Sequence, residues 1–551
     1  MLIKKVYHTI LNNKLKKKDG IAMRKILSVF LALAAVLCMV LITPVSAVSR
    51  YVGDLDANGR ITAADVVIIK KLISGTEAID DQRFADLNLD GRINASDVLL
   101  LKQAIAGKYT PPQIDDGETA DISEYTVVVS SSATEYEQYA AELLCDRVAE
   151  ISGITLTVAD DTSEASGREI IIGETTRTES ASSPQLSENQ YAFGKSGDSI
   201  ILAGKDYMIG GAVAEFCSLV SSEGKITLDK LPDEPAATDY APVVANSVIL
   251  MIGDGMGPNH IEFTSRYVAR QSSWTYNYSG FTAAAFPAKG DCTTVSASDM
   301  TSGGQFKATV TDSAAAATAL ATGWKTQNKK LGINLFGQNV QNIRELAASA
   351  GLKTAVISTE ETTGATPAAF TVHNVSRSNI DEISAEQTEL INSGAITYLN
   401  GNLPGEHQLL EETKKALGII SSDSNGFFAM IEEAYIDKSC DRSYGSTYTR
   451  KDTALFVSRF DEAIKYAATF TAAHPGTVLI VTADHETGAL SLTGDVTNNG
   501  LHTDTPVPVY AMGYGVEQFN GVTTDNVKIG RFMASVFGAE SFGIDVPLLT
   551  D

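Results

Sequence analysis

A series of apolar runs in the C-terminal half of the chain, most of them ending in residues with chemistry to offer, restricts the fold more than any other feature. Val248–Gly253 ends at Asp254, Phe427–Ile431 at Glu432 with Asp437 five residues on, and Val478–Val481 at Thr482-Ala483-Asp484-His485. Thr354–Ser358 is another run, with Thr366-Pro367 beyond its loop, and His502 precedes a further one, Val507–Met512. Short continuous apolar runs read as strands buried on both faces, as in parallel sheets covered by helices. In an open α/β sheet the carboxyl ends of the strands line one edge, and ligands bind there. Asp254, Glu432, Asp437, Asp484 and His485 are therefore expected to share a site. Carboxylates so crowded do not all stay ionised without cations. Mixed Asp and His ligands suit zinc, and an all-oxygen set suits magnesium.

One helix start belongs to the same picture. Thr311-Asp312-Ser313 leads into the alanine run Ala314–Ala317, which is strongly helix-forming. Ser313 then sits among free backbone N–H groups at the positive end of the helix dipole, a good place to hold a phosphate. Alone, the stretch reads as a serine-capped helix; the carboxylates and histidines elsewhere give it a second meaning.

Near the N-terminus a twelve-residue pattern is duplicated. Asp54-Leu55-Asp56-Ala57-Asn58-Gly59-Arg60-Ile61-Thr62-Ala63-Ala64-Asp65 returns 32 residues later as Asp86-Leu87-Asn88-Leu89-Asp90-Gly91-Arg92-Ile93-Asn94-Ala95-Ser96-Asp97. Oxygen side chains at positions one, three and five can surround calcium while the glycine makes the turn. A backbone carbonyl at position seven (Arg60, Arg92) and a carboxylate at twelve complete the loop, with Thr62 and Asn94 at position nine. A helix is expected after each loop, with Val66, Ile69 and Ile73 on one apolar face and Val98, Leu101 and Ile105 on its counterpart. The pattern departs from an ordinary EF-hand in carrying Asp at position twelve and in having no helix before the first loop. It resembles a type I dockerin over residues 51–107. The resemblance implies two calcium ions and a cohesin partner, contacted through Ala63, Ala64, Lys70, Lys71, Ala95, Ser96, Lys102 and Gln103.

Export is expected on separate grounds. A basic start and Met23-Arg24-Lys25 precede an apolar run, Ile26–Ile42, that closes in Val45-Ser46-Ala47. This reads as a secretory signal over residues 1–47, giving a secreted chain, and the dockerin resemblance implies its attachment to an extracellular scaffold. No second apolar stretch is long enough to span a bilayer, so no membrane span is expected in the mature chain. The formal charge of −24 argues against nucleic acid or anionic membrane as a partner. Beyond residue 47 only Cys145, Cys217, Cys292 and Cys440 remain, too few for a disulfide framework. Cys145 and Cys217 fall on the two helices expected in one domain, and their pairing stays open.

A Pro-containing linker is expected at 108–123, then a small α+β domain at 124–228, a second linker at 229–246 and the catalytic domain at 247–551. The small domain contains Val127–Val129, a helix from Tyr136 to Ile151, strands Ile170–Gly173 and Ser199–Ala203, and a helix near 211–221. It is similar to the domain that precedes the catalytic barrels of α-glucuronidases and β-hexosaminidases. It gathers no histidine, cysteine or carboxylate cluster and is expected to be non-catalytic.

The catalytic domain resembles alkaline phosphatase. The pieces that carry the resemblance are Gly253–Gly257, Thr311–Ala314, Ala365–Ala368, Glu432 with Asp437, Thr482–Gly488 and His502-Thr503. The family implies a central, mostly parallel sheet flanked by helices, and hydrolysis of small phosphate monoesters through a phosphoserine. Ser313 would be the nucleophile and Arg377 the phosphate clamp, with Lys438 near the phosphate. Asp254, Asp484 and His485 would hold zinc beside Ser313. Asp254, Thr366 and Glu432 would hold magnesium, and Asp437 and His502 a second zinc facing the leaving group. Where the family places a histidine four residues after Asp437, this chain has Asp441. Asp441 as a ligand, Cys440 as a thiolate ligand after a one-residue shift, and neither are all open. Where relatives carry Asp or His two residues before Thr366, this chain has Gly364. A phosphodiesterase or sulfatase of the same superfamily, and a degenerate scaffold-attached binding protein, are the alternative readings.

Overall fold

The computed structural model describes residues 52–55, 60–76, 82–88, 92–111, 119–422, 425–445, 447–492 and 500–550. The segment read as a secretory signal lies outside them. The chain divides into two compact units, residues 1–117 and 118–551.

In the first unit the repeat produces two matching helices, Ala63–Ile73 and Ala95–Ile105. Each begins in a capping box, Thr62 with Asp65 and Asn94 with Asp97, which satisfies backbone donors that a helix start otherwise leaves free. The position-twelve carboxylates also reach back across their loops. Leu55 N donates to Asp65 Oδ1 at 2.7 Å and Leu87 N to Asp97 Oδ1 at 2.8 Å. Val52, Leu55, Ile69, Phe84, Leu87 and Leu101 form a small core. Ile73 and Ile105, expected on the buried faces, are instead exposed at the helix ends.

The second unit holds two sheets. The smaller runs in the order Thr157–Asp160, Thr126–Val129, Glu169–Ile172, Ser199–Gly204, Gln190–Ser196, Ala236–Asp239. Its last strand lies inside the stretch expected as a linker at 229–246, so the fold of the middle region extends past 228. That strand is exposed along its length and is held by ladder bonds to its neighbour rather than by burial. The helices Glu135–Ser152 and Ile209–Ser218 pack between this sheet and the long helix Arg450–Ala473 of the C-terminal region. One continuous core joins the two regions, and Lys465 Nζ meets Glu135 Oε2 at 2.6 Å across their contact.

The larger sheet has eight strands in the order Tyr398–Asn400, Lys353–Ser358, Phe427–Glu433, Ser247–Gly253, Thr477–Thr482, Val507–Met512, Ala288–Thr293, Thr523–Asp525. The first five are mutually parallel and Val507–Met512 runs against them. The central strands Ser247–Gly253, Phe427–Glu433 and Thr477–Thr482 are buried at every position, as their unbroken apolar runs require. Register sets Glu432 beside Ile252 and Ser358, so the carboxyl ends of three strands open at one level. Among the described residues no helix is long and apolar enough to cross a membrane. Cys145, Cys217, Cys292 and Cys440 are all free thiols, so Cys145 and Cys217 are not paired.

Candidate active site

The helix Ser313–Thr322 starts at the open edge of the large sheet and is buried over its whole length. Small side chains let it pack so closely, which accounts for the alanines. Its cap is Asp312, whose Oδ1 accepts from Ala315 N at 3.0 Å. Ser313 is thereby released from capping, and its Oγ lies 3.2 Å from His485 Nε2.

Asp254 follows the central strand directly, and its backbone N donates to Glu433 O at 3.0 Å. The turn that follows needs Gly255: its φ is +74°, and a Cβ there would press on the Asp437 backbone and the Thr487 hydroxyl. Gly255 N donates to Asp484 Oδ1 at 3.0 Å. Asp254, Asp484 and His485 present ligand atoms within 4.8 Å of one another, and so do Asp437, His485 and His502. The rings of His485 and His502 stack with centroids 3.8 Å apart.

The hydrogen bonds orient both imidazoles. Thr487 gives its one hydroxyl proton to Asp437 Oδ1 at 2.5 Å, so its oxygen accepts from His485 Nδ1 at 3.2 Å. That assignment leaves the His485 Nε2 lone pair facing Ser313, Asp254 and Asp484. His502 Nδ1 donates to Thr311 O at 3.0 Å. Its Nε2 faces Asp437 Oδ1 at 3.4 Å and Asp441 Oδ2 at 3.7 Å. Asp441, not Cys440, is thus the residue brought to His502. The Cys440 thiol is buried against Ser439, Thr453 and His260, so the one-residue shift that would make it a ligand does not occur.

A third group is all oxygen. Thr366, at the start of the short helix Ala365–Ala369, is fully buried beside Glu432, which is itself fully buried beside Asp254. Asp254 Oδ1, Glu432 Oε1, Thr366 Oγ1 and Asp484 Oδ2 make no hydrogen bond although all are buried. Burial pushes the Asp254 and Glu432 carboxyls well above the usual carboxylate range, and neighbouring carboxylates push them further. At Asp437 burial is outweighed by the His502 hydrogen bond and by the two imidazoles, which hold it at about 2. Buried oxygens without partners and crowded carboxyls that resist ionisation are what a protein loses little by giving to divalent cations. The Asp/His groups fit zinc and the Asp254–Thr366–Glu432 group fits magnesium.

Arg377 and Lys438 border the site. Arg377 Nη1 lies 3.4 Å from Asp312 Oδ2, whose carboxylate also accepts from Lys329 N at 3.0 Å. Lys438 Nζ pairs with Glu360 Oε2 at 2.7 Å. Glu360 and Thr487 carried no role in the sequence. Thr487 lay inside a recognised motif, whereas Glu360 had only its place just after the strand Lys353–Ser358 as a signal.

In the N-terminal unit Asp54, Asp86, Asp65 and Asp97 are buried, and Arg60 and Asn88 are exposed. Asp56, Asn58 and Asp90 lie outside the described residues. Ala63, Ala64, Lys70, Lys71, Ala95, Ser96 and Lys102 are exposed and Gln103 half-exposed, so the two repeats present equivalent surfaces.

Two stretches of the chain match known families. Residues 245–401 and 395–501 match the family model for alkaline phosphatase, and residues 52–106 that for the type I dockerin domain. Alkaline phosphatase 4 of Bacillus subtilis (strain 168) is 28% identical over 240 residues, covering 33% of this chain and 50% of its own length. Alkaline phosphatase 3 of the same organism is 26% identical over 304 residues, covering 45% of this chain and 63% of its own. The chain thus spans between half and two thirds of the length of these relatives. Among solved structures, alkaline phosphatase from the Antarctic bacterium TAB5 is 26% identical, covers 55% of this chain and all of its own, and has a TM-score of 0.45.

Proposed function

Because the chain carries an alkaline phosphatase domain in its C-terminal part and a type I dockerin domain at residues 52–106, we propose that it is a secreted, scaffold-attached phosphomonoesterase acting through a phosphoserine at Ser313. The observation that carries this reading is the Ser313 Oγ, 3.2 Å from His485 Nε2, beside buried carboxylate oxygens that have no hydrogen bond. Asp254, Asp484 and His485 would hold one zinc ion and Asp437, Asp441 and His502 a second. Asp254, Thr366 and Glu432 would hold magnesium. When bound, the zinc pair stabilises the attacking and leaving oxygens of an in-line displacement.

The chain's own groups do the rest. Ser313 Oγ attacks phosphorus as the bond to the departing alkoxide oxygen breaks, and the proton Ser313 loses ends on that alkoxide, which leaves as the alcohol. The free N–H groups of the helix start and the Arg377 fork take the non-bridging phosphate oxygens. Asp312 orients Arg377 from behind, and Lys438 adds positive charge at the rim. Water then attacks the same phosphorus, the Ser313 Oγ–P bond breaks, one proton of that water passes to Ser313 Oγ, and inorganic phosphate leaves. The two loops of residues 54–65 and 86–97 would each hold calcium, and the exposed faces at Ala63-Ala64 and Ala95-Ser96 would meet a cohesin.

Acid-quenched protein incubated with radiolabelled phosphomonoester tests this reading. The parent is expected to carry label and Ser313→Ala to carry none, with turnover down by several orders of magnitude. Wild-type turnover in Ser313→Ala overturns the nucleophile assignment. Preference for a diester or a sulfate ester in the same assay overturns the substrate class.

A further inference from the structure

We propose that Glu360 is a positioning residue of the phosphate site: its carboxylate fills the gap beside Gly364, holds Lys438, and tunes the hard-cation group Asp254–Thr366–Glu432. The identity of that group rests on the phosphatase reading above.

Gly364 has φ −57° and ψ 161°, backbone that any residue adopts, so conformation does not require a glycine there. Space does. A Cβ at 364 would overlap the Glu360 carboxylate, and a Cβ at Gly401 would press on the Glu360 carbonyl oxygen at 2.5 Å. Gly364 therefore clears room for the Glu360 carboxylate, and Gly401 for the Glu360 backbone. The carboxylate is not free to yield, because Glu360 Oε2 is tied to Lys438 Nζ at 2.7 Å with both side chains mostly buried, 17% and 15% exposed. The backbone of Glu360 is fixed as well: its N donates to Ser358 Oγ at 3.0 Å, and its O accepts from Asn402 N at 2.5 Å. Ser358 Oγ in turn donates to Glu432 Oε2. Hydrogen bonds thus run from Lys438 through Glu360 and Ser358 to the carboxylate at the centre of the all-oxygen group.

Two consequences follow from charge. The Glu360 carboxylate lies against Gly364, two residues before Thr366, and its backbone is one side chain, Ser358, away from Glu432, so its negative charge acts on that group. A carboxylate just outside a ligand set attracts a divalent cation and orders the water around it. The same carboxylate engages the Lys438 ammonium, so Glu360 limits how firmly Lys438 can hold phosphate.

The test uses the full-length protein, dialysed with saturating calcium and zinc against graded magnesium, with bound metal read by elemental analysis. Inhibition by inorganic phosphate is measured on the same samples. In Glu360→Gln, which keeps the shape and removes the charge, magnesium affinity is expected to fall by about 10- to 100-fold, and inorganic phosphate is expected to inhibit more tightly. A purely structural role would lower thermal stability and move neither readout. Unchanged magnesium affinity in Glu360→Gln overturns the proposal while leaving the phosphatase reading in place. A parent that binds no magnesium at this group overturns both. If Glu360→Gln does not fold, the pair Glu360→Ala with Gly364→Asp decides, because it returns a carboxylate to the same space from the neighbouring backbone. Magnesium affinity close to the parent's in that double variant supports the proposal, and its loss overturns it.

Discussion

Asp441 Oδ2 stands 3.7 Å from His502 Nε2, which puts a second carboxylate beside the imidazole proposed to hold the second zinc. With Asp437 and His502 it makes a harder donor set than one carrying a second imidazole. Zinc-supported turnover is therefore expected to be modest and to rise in Asp441→His by roughly tenfold, the scale on which changes close to a metal act. Manganese or magnesium support at this position should decline in the same variant. Cys440→Ser should change little, since the thiol packs against His260 and not toward His502. Steady-state turnover of chelated protein reconstituted with each metal checks this. Loss of metal in Cys440→Ser with no response in Asp441→His would reverse the assignment.

The parts of the site that were legible in the sequence share one physical origin. Asp254, Glu432, Asp484 and His485 each end or follow an apolar strand run, and a parallel sheet delivers such ends to one edge. Ser313 was legible because an alanine run can hardly avoid being a helix. Glu360 was not, since its role depends on the overlap with Gly364 and on Lys438, 78 residues on, and neither relation is periodic. The choice between Cys440 and Asp441 was equally closed to pattern reading. The helix Tyr435–Cys440 stops at that point and Asp441 is extended, so helical spacing does not say which side chain turns inward. The strand Ala236–Asp239 escaped for a third reason: it is exposed on both faces and carries no alternation of apolar and polar residues. The same absence hid the extension of the middle region into the expected linker.

The N-terminal unit should depend on calcium. Its core is small, and the position-twelve carboxylates Asp65 and Asp97 are buried, so loop and helix order are linked to whatever neutralises the acidic ligands. Replacing Asp54 and Asp86 by Ala should abolish calcium-dependent binding to a cohesin and leave phosphatase turnover largely intact. Cohesin pull-down and turnover on the same preparation check this. Turnover that falls in step with calcium would show instead that the two units are coupled.

Asp461 should make stability pH-dependent at the contact between the middle and C-terminal regions. It lies on the helix Arg450–Ala473, 1% exposed, and accepts from Thr282 N at 2.6 Å and Thr282 Oγ1 at 3.2 Å. Tyr136 of the middle region reaches the same threonine, and Lys465, one turn along, pairs with Glu135. Burial raises the Asp461 carboxyl from 3.8 to about 7, against the pull of Lys465 and the Thr282 hydrogen bonds. An acid whose pKa is higher folded than unfolded is favoured by folding in its protonated form. Its contribution is fully present below the unfolded value of 3.8 and is lost as pH rises through about 7. Asp461→Asn keeps an oxygen that accepts from Thr282 and removes the titration. The stability of the parent relative to Asp461→Asn should therefore decline across that window and stay level above it. Urea midpoints measured for both proteins at matched metal concentrations check this, because the other titrating groups cancel in the difference. Parallel curves would mean that Asp461 titrates alike in the folded and unfolded chains, and that its burial is relieved by water at the contact between the two regions.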